Sequence, residues 1–329
     1  MYNRFMYKKW YTVLAQSYIV IMVVSLAIGL FFPWSKRLVP WTTVILQIIF
    51  FISSLKMQPE LVLDGFKDWK YLAAVNFYMM ILLPAVVWLL VLFLPHDLGL
   101  ALFLLAAMPA GMTAPLLVEV AGGKQSTAMI IVVTTSLLAP FTIPLLTKFF
   151  YGTSAAVDAS DMCIKLVMVI FIPFLLALVV RRLFAETVAK INPKTKPISL
   201  YLLGLLIIAV ISAQSENIFA LSHNWWRLII FIGGLLLFML IMHFAGYYGF
   251  WWKNHAEKNT TSITLTYMNF VLAIYLAGEF FPTPEVLLPL VLIIIPWATF
   301  LPAWQNISNK LNNHAKHPSR KSRRTGLNL

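Results

Sequence analysis

Ala107-Met-Pro-Ala-Gly-Met-Thr-Ala-Pro115 interrupts an otherwise apolar stretch with two prolines and a glycine. Each proline lacks an amide donor and clashes with the preceding turn, so Pro109 and Pro115 leave several backbone groups without helical partners. Hydrocarbon cannot solvate such groups, and an interrupted span is therefore tolerated only where protein or a water-filled cavity surrounds it. Broken helices at bilayer depth are typical of secondary transporters, which makes transport the first hypothesis.

The composition is that of a polytopic membrane protein. Of the 329 residues, 60% are hydrophobic and only 11% are charged, which lies outside the usual range of soluble domains. Apolar stretches of about 20 residues predict about ten transmembrane helices, at about 13–32, 38–55, 71–94, 98–121, 126–149, 161–181, 197–214, 226–249, 259–281 and 284–305. We therefore predict an all-α fold, whose short connections leave no room for a soluble catalytic domain.

The net charge of +13 indicates orientation in the membrane. With ten spans both ends face the same side, and outer loops then hold only Lys36, Arg37, Lys148 and Arg227, while Lys165 begins the sixth span. This asymmetry follows the positive-inside rule and predicts two cytoplasmic termini in the plasma (inner) membrane. The basic tail, residues 307–329, is expected to be disordered and to contact anionic lipid. We expect the bilayer, and not nucleic acid, to be its partner.

Ten spans divide into two five-helix repeats of opposite orientation, residues 1–155 and 156–306. The fifth span carries Pro140 and Pro144, and the tenth carries Pro296 and Pro302. Opposite the broken fourth span, the ninth carries the polar run Thr260-Thr-Ser-Ile-Thr-Leu-Thr-Tyr-Met-Asn269. Interrupted or polar segments at matching positions of two halves point to the binding site of a transporter.

Residues of catalytic and metal chemistry are sparse. Cys163 is the only cysteine, and the twelve acidic residues are scattered. No HExxH or GxSxG motif occurs. We predict no enzymatic activity, no metal site and no cofactor, and we keep a polytopic membrane enzyme and a passive channel as alternatives.

Two segments of the chain resemble signatures of the bile acid:sodium symporter superfamily. The first runs from Met108 to Ala128 and is followed by Ser136-Leu-Leu-Ala-Pro140, and the second is Met268-Asn-Phe-Val-Leu-Ala273. The resemblance implies a panel domain and a core domain, with discontinuous fourth and ninth spans that cross at the membrane centre. It also implies transport of organic anions, often with sodium.

The chain departs from that family at the positions where sodium-coupled members carry ligands. A Ser-Asn pair would fall on Ala114 and Pro115, the shared acidic residue on Thr264, and a glutamine on Met268, so that only Asn269 survives. Hard cations need several oxygen ligands, ideally with a carboxylate. These departures argue against sodium coupling of the usual kind and leave proton coupling or uniport open.

The candidate substrate and ion site has preferred members and residues that flank them. Thr113, Thr264, Thr266 and Asn269 supply side-chain oxygens near the two motifs. The flanking candidates are Ala114, Pro115, Met268, Asn76 and Thr135. Hydroxyls and amides also cement helix packing, which is the alternative for all of the polar ones.

Two ionisable residues are candidates for proton coupling. Glu119 lies near the inner end of the fourth span and His243 lies in the inner half of the eighth. An intramembrane ionisable residue is a functional candidate by default. A water-exposed interfacial acid and a hydrogen-bonded packing histidine are the alternatives.

Together these patterns predict a secondary active transporter that works by alternating access. Its substrate is expected to be a small organic anion or a related solute, bound where the fourth and ninth spans cross. Helix N-termini at the breaks carry partial positive charge and would face the anionic group. Na⁺ or H⁺ is the expected coupling ion, and the sequence does not indicate an oligomeric state.

Overall fold

A computed structural model describes residues 18–55, 68–152, 158–191, 195–213, 215–216, 219 and 225–316, and within these every regular element is a helix. The α-helices are α1 (Tyr18–Phe31), α2 (Thr42–Leu55), α3 (Trp69–Phe77), α4 (Leu83–Val91), α5 (His96–Ala107), α6 (Ala114–Val120), α7 (Gln125–Tyr151), α8 (Ala159–Leu183), α9 (Ala185–Ile191), α10 (Thr195–Ala213), α11 (Trp225–Tyr248), α12 (His255–Thr266), α13 (Phe270–Phe280), α14 (Pro284–Leu292), α15 (Ile294–Thr299) and α16 (Leu301–Lys316). A 3₁₀ helix, Pro33–Trp41, precedes α2, and a π-helical turn, Tyr78–Leu82, joins α3 to α4.

Several helical stretches are long and apolar enough to cross a membrane. Within the described residues there are five, or six if one bent pair counts as one span: Pro33–Leu55, Trp69–Val91, Gln125–Tyr151, Ala159–Leu183, Ile229–Tyr248 and the pair Pro284–Trp297 with Leu301–Asn312, bent by 60°. Other predicted spans contain shorter apolar helices, such as α5 and α13. The all-helical, polytopic character expected from composition is confirmed.

The third predicted span contains a π turn because a proline lies within it. Asp68 begins α3 by accepting the Tyr71 N–H at 3.3 Å. Pro84 occupies the first turn of α4, directly after the Tyr78–Leu82 turn. Proline cannot donate to the helical ladder, and a single π turn is a common accommodation of such a local mismatch inside a long helix. The span therefore stays helical from Trp69 to Val91.

The helical segments next to the two breaks are buried, whereas other helices expose apolar side chains. All residues from Gly99 to Gly111 and from Asn259 to Phe270 are buried. By contrast, α8 exposes several large apolar side chains along its length, among them Ile172, Leu175 and Leu176. Since exposed apolar faces suit lipid and buried interruptions need protein around them, this arrangement places the broken segments where their backbone can be satisfied.

The final helix is longer than the sequence predicted. We expected disorder from residue 307, but α16 continues to Lys316. Ser308 within it is buried and donates its hydroxyl to the Gln305 carbonyl at 3.2 Å. The rest of the predicted tail, residues 317–329, lies outside the described residues.

Candidate functional site

The first helix break falls where the two prolines predicted it. Helix α5 ends at Ala107, and Met108 takes an extended conformation with φ −72° and ψ 146°. After Met108 to Thr113, helix α6 begins at Ala114, with Pro115 in its first turn. Proline is well suited to that first turn, because its missing N–H would have no helical partner there. The predicted interruption is confirmed.

The second break contains neither proline nor glycine. Helix α12 ends at Thr266 and α13 begins at Phe270, so only Tyr267, Met268 and Asn269 lie between them. Asn269 starts α13 as its N-cap, and its side-chain oxygen accepts the Leu272 N–H at 3.1 Å. Asparagine is among the best N-cap residues. The amide cap thus restarts the helix after the break.

The two breaks pair with each other through their main chains. Ala110 and Met268 form an isolated antiparallel bridge. Within it, Gly111 donates its N–H to the Tyr267 carbonyl and Asn269 donates its N–H to the Pro109 carbonyl, both at 2.8 Å. Backbone groups that leave a helix inside a membrane need internal partners. Each break supplies partners for the other.

Glycine is required at position 111 because the two chains approach so closely. A Cβ built on Gly111 would lie 2.6 Å from the Tyr267 carbonyl oxygen and 3.1 Å from the Met268 carbonyl oxygen. Both obstructing atoms belong to the backbone, which cannot turn aside as a flexible side chain could. Gly111 therefore permits the pairing of the breaks.

A third element, α7, supplies a hydrogen-bond partner to the first break. Thr135 accepts the Ala110 N–H on its hydroxyl oxygen at 3.2 Å, and its own hydroxyl donates to the Ile131 carbonyl at 2.6 Å. Thr135 is completely buried. This predicted site residue therefore supports the break.

The turn that follows α6 is also connected to α12 by hydrogen bonds and an ion pair. The Lys124 N–H reaches the Thr260 hydroxyl at 2.7 Å, and the Asn259 amide donates to the Ala121 carbonyl at 3.1 Å. Lys124 also pairs with Glu257 at 2.8 Å. The turn after α6 is thereby fastened to α12, so that both broken helices form one unit.

The structure brings several predicted site residues together at the breaks. Ala114 and Pro115 are buried in the first turn of α6, and Met268 lies in the bridge. Asn269 is 7% exposed, and Thr113, which is half-buried, precedes α6 without making a side-chain cap bond. These five residues surround the paired main chains.

Thr264 and Thr266 are buried, and both hydroxyls donate to their own helix. Thr264 donates to the Thr260 carbonyl at 2.9 Å and Thr266 donates to the Ser262 carbonyl at 2.8 Å. Such bonds to the preceding turn are the usual way in which threonine is accommodated in a membrane helix. Each hydroxyl oxygen keeps acceptor capacity, while its proton is used.

The hydrogen bonding of Asn76 involves its own helix and neither break. Its amide nitrogen donates to the Leu72 carbonyl at 2.8 Å, and its buried side-chain oxygen has no partner among the described residues. An unpartnered amide oxygen is a potential cation ligand. The structure records no hydrogen bond between Asn76 and either break.

The two candidates for proton coupling have opposite environments. Glu119 is exposed near the end of α6, as expected of an interfacial acid. His243 on α11 is completely buried, and its Nδ1 lies 2.9 Å from the Ser262 hydroxyl oxygen. Of the two, only His243 lies within the helical core.

A cavity adjoins the first break. It is small, about 10 Å³, which is room for about one water molecule, and it is lined by Phe50, Ser54, Met112, Val133, Ser136, Leu137, Ile170 and Phe174. Residues of α2, α7, α8 and the first break therefore line this cavity. The Ser54 and Ser136 hydroxyls are buried and have no hydrogen-bond partner among the described residues.

The sequence did not identify most of this cavity. Met112 lies within the quoted motif, but Phe50, Ser54, Ile170 and Phe174 belong to helices with no recognisable signal. A serine pair, Ser53-Ser54, at the end of an apolar stretch was the one visible irregularity. In the part of the chain that the structure describes, no group of three His, Cys, Asp or Glu side chains could hold a metal ion.

Comparison with known proteins gives a consistent set of similarities. The sequence profile of the SBF-like CPA transporter family matches residues 16–299. The uncharacterized sodium-dependent transporter YocS of Bacillus subtilis (strain 168) is 25% identical over 207 residues, which are 61% of this chain and 62% of that protein. The probable sodium/metabolite cotransporter BASS5, chloroplastic, of Oryza sativa subsp. indica is 27% identical over 157 residues, 46% of this chain and 38% of that protein. This chain therefore spans less than two thirds of the length of either relative.

Proposed function

The chain belongs to the SBF-like CPA transporter family, and from that premise we propose that it is a secondary active transporter of a small organic anion or a related solute. In this proposal about ten spans form two inverted five-helix repeats, residues 1–155 and 156–306, in the plasma membrane with both termini cytoplasmic. The broken fourth and ninth spans cross at the centre of a core domain, and a panel domain flanks it. The family and the relatives are transporters and not enzymes.

One observation carries the proposal: the backbone pairing of the two helix breaks. The Gly111 and Asn269 N–H groups each donate across it at 2.8 Å. Transporters place substrate and ion sites at discontinuous helices of two repeats. A purely structural span gains nothing from such breaks, since an unbroken helix satisfies all of its own backbone groups.

The cavity beside the first break is too small for an organic solute as it stands, and we propose that it widens during transport to admit a small amphipathic anion. Its walls are mainly apolar, and the Ser54 and Ser136 hydroxyls supply two unpartnered donors. The Met112 and Thr113 N–H groups have no backbone acceptor within the described residues. Apolar walls suit an organic body, while convergent hydroxyl and amide donors suit a carboxylate or similar group.

Alternating access requires contacts that can open at one end of the site. Lys165 on α8 pairs with Glu279 on α13 at 2.5 Å and with Asp161 at 3.1 Å. Nearby, the Thr43 and Tyr275 hydroxyls lie 3.3 Å apart. In the orientation inferred from charge, these contacts close the outer end. We propose that the Lys165–Glu279 and Thr43–Tyr275 contacts, which join different helices, separate when the site opens outward, while Asp161 and Lys165 stay paired within α8.

Sodium and protons are the two candidate coupling ions. YocS is named as sodium-dependent, but Thr264 stands where the resemblance implies a carboxylate, and its hydroxyl proton is committed to the Thr260 carbonyl. The usual sodium ligand set does not fit these residues, so we derive no transport step through sodium. Exposed Glu119 and buried His243 remain the proposed residues for proton coupling.

Uptake into proteoliposomes tests the proposal. The purified full chain is reconstituted and offered radiolabelled taurocholate, pyruvate and arsenite, with protein-free liposomes as the control. We expect at least one solute to accumulate against its gradient and to exchange in counterflow. Flux without accumulation or counterflow would indicate a passive channel. Absence of flux for taurocholate and pyruvate would reject bile-acid-like and keto-acid substrates, and absence of flux for arsenite would reject that inorganic solute.

Ion replacement then identifies the coupling. Uptake is compared in sodium and in potassium at fixed pH, and again with a proton ionophore. Loss of accumulation in potassium indicates sodium coupling, and loss only with the ionophore indicates proton coupling. Counterflow without accumulation under any of these conditions indicates a uniporter.

A further inference from the structure

Three buried aromatic side chains meet behind the second helix break. His243 lies on α11, Tyr267 lies in the break and Trp304 lies on α16, and each is at most 1% exposed. The His243 ring stacks on Trp304 with ring centres 4.4 Å apart and an interplanar angle of 14°. Tyr267 meets the same imidazole edge-on at 5.6 Å. The cluster therefore connects three separate elements around one histidine.

Each of these side chains has a buried polar atom without a protein partner. The atoms are His243 Nε2, Tyr267 Oη and Trp304 Nε1. Buried tyrosine hydroxyls and indole N–H groups usually find a hydrogen-bond partner. Three exceptions in adjoining rings point to one shared ligand between them.

The hydrogen bonds of Ser262 assign the missing roles. Its hydroxyl donates to the His243 carbonyl at 2.9 Å, so its oxygen accepts from His243 Nδ1, also at 2.9 Å. The imidazole proton is thereby assigned to Nδ1, which makes Nε2 an acceptor. The cluster thus offers one acceptor, Nε2, and two donors, the Tyr267 O–H and the Trp304 N–H.

Water has the complementary set of groups. It donates one O–H to Nε2 and accepts from the hydroxyl and the indole, which gives the three hydrogen bonds typical of a buried water. A metal cation would face two donors, and a small anion would have no proton for Nε2. We propose that His243, Tyr267 and Trp304 together bind one internal water molecule.

This water would link the second break to α11 and α16, as Thr135 links the first break to α7. The Tyr267 carbonyl accepts the Gly111 N–H across the paired breaks. A water on the Tyr267 hydroxyl links the same residue to α11 and α16. The inference concerns the architecture of the break and does not depend on the identity of the transported solute.

Unfolding of the purified full chain in detergent tests the site. Tyr267→Phe and Trp304→Phe each remove one donor and keep an aromatic ring. If water is bound, each variant should lower Tm by a few degrees. The double variant should lower Tm by less than the sum of the two single effects, because the first substitution already weakens the binding of the water. Trp304→Phe also leaves a cavity, which lowers Tm with or without water. If the site is dry, Tyr267→Phe should leave Tm unchanged or raise it, and the effects of the two variants should add, which would overturn the proposal.

Tyr275→Phe is the matched control, since its hydroxyl bonds directly to Thr43 and lies outside the cluster. Its effect should add to that of Trp304→Phe. A structure at about 2 Å resolution gives an independent answer even if the variants fail to fold. Density within hydrogen-bond distance of Nε2, Oη and Nε1 supports the site, and its absence refutes it.

Discussion

Gly111 donates its backbone N–H to the carbonyl oxygen of Tyr267 at 2.8 Å, which joins two helix breaks that lie far apart in the chain. The bond works only because position 111 has no side chain, since a Cβ there would lie 2.6 Å from the same oxygen. The broken helices are therefore fixed by main-chain contact, and side chains such as Thr135 and Asn269 support it.

Gly111→Ala should separate the paired breaks. The added methyl would clash with the backbone of the second break, and overpacking of this kind costs about 1–3 kcal/mol. We expect a lower Tm and loss of uptake of the solute identified in proteoliposomes. Thermal unfolding in detergent and uptake assays measure the two effects.

Gly233→Ala is the control for that variant, because a Cβ on Gly233 meets nothing within 4 Å. Alanine is favoured over glycine inside a helix by roughly 0.5–1 kcal/mol. Gly233→Ala should keep both stability and uptake. Equal behaviour of the two alanine variants would contradict the role assigned to Gly111.

Thr135→Val should weaken the first break. It removes the acceptor of the Ala110 N–H, and a buried donor left unsatisfied costs about 1–3 kcal/mol. The neighbouring Thr134 donates only to carbonyls of its own helix, Ile130 and Ile131, so Thr134→Val is the matched control. We expect the free energy of unfolding to fall clearly only for Thr135→Val.

Asn269 serves as a helix cap, and substitution can separate this role from a site role. Serine is also a good N-cap, whereas alanine is not and should cost about 0.5–2 kcal/mol. Asn269→Ser should therefore keep Tm near that of the parent and still lose uptake, because the amide is gone. Normal uptake by Asn269→Ser would restrict this residue to capping.

Asp68 gives a prediction for pH. The Lys253 ammonium, 2.6 Å from the carboxylate, lowers the pKa of Asp68 below its ordinary value of 3.8. A lowered pKa in the folded state means that the carboxylate stabilises the fold above the ordinary value, and that this contribution is lost as pH falls through the lowered one.

Asp68→Asn keeps an acceptor for the Tyr71 N–H but removes the charge. The parent should have the higher Tm at neutral pH, and the difference should shrink as pH falls below the ordinary pKa and disappear below the lowered one. A difference that does not change with pH would show that the ion pair contributes nothing measurable, as is common for exposed pairs.

The first break could be predicted from sequence because its cause is local. Pro109 and Pro115 disfavour a continuous helix, and Gly111 between them adds to this effect. Proline alone does not decide the matter, because α7 stays continuous through Pro140 and Pro144. The overall class was equally accessible, since burying long apolar stretches in lipid requires helices.

The second break could not be located in the same way. Thr260 to Thr266 form a regular helix, in which the threonine hydroxyls donate to carbonyls of the preceding turn and the Ser262 hydroxyl donates to the His243 carbonyl of α11. The interruption at Tyr267–Asn269 depends on partners more than 150 residues away, such as the Pro109 carbonyl. No local propensity encodes that pairing.

The cavity and the His243 cluster were inaccessible for the same reason. Ser54 and Ser136 line one cavity, and His243 stacks on Trp304, only through packing of separate helices. The sequence placed His243 in a span but gave no information about its neighbours. The extent of α16 was also underestimated, because its polar composition resembled that of a disordered tail.

A disulfide between the two breaks tests the central claim most directly. Ala110 and Met268 form a non-hydrogen-bonded antiparallel pair, for which Cα atoms lie about 4.5 Å apart, within the range that a disulfide spans. Ala110→Cys with Met268→Cys, in a Cys163→Ala background that removes the native thiol, should cross-link on mild oxidation in membranes, as detected by mass spectrometry of the linked peptides. Ala110→Cys with Gly234→Cys should remain reduced. An unlinked Ala110–Met268 pair under the same oxidation would contradict the pairing of the breaks.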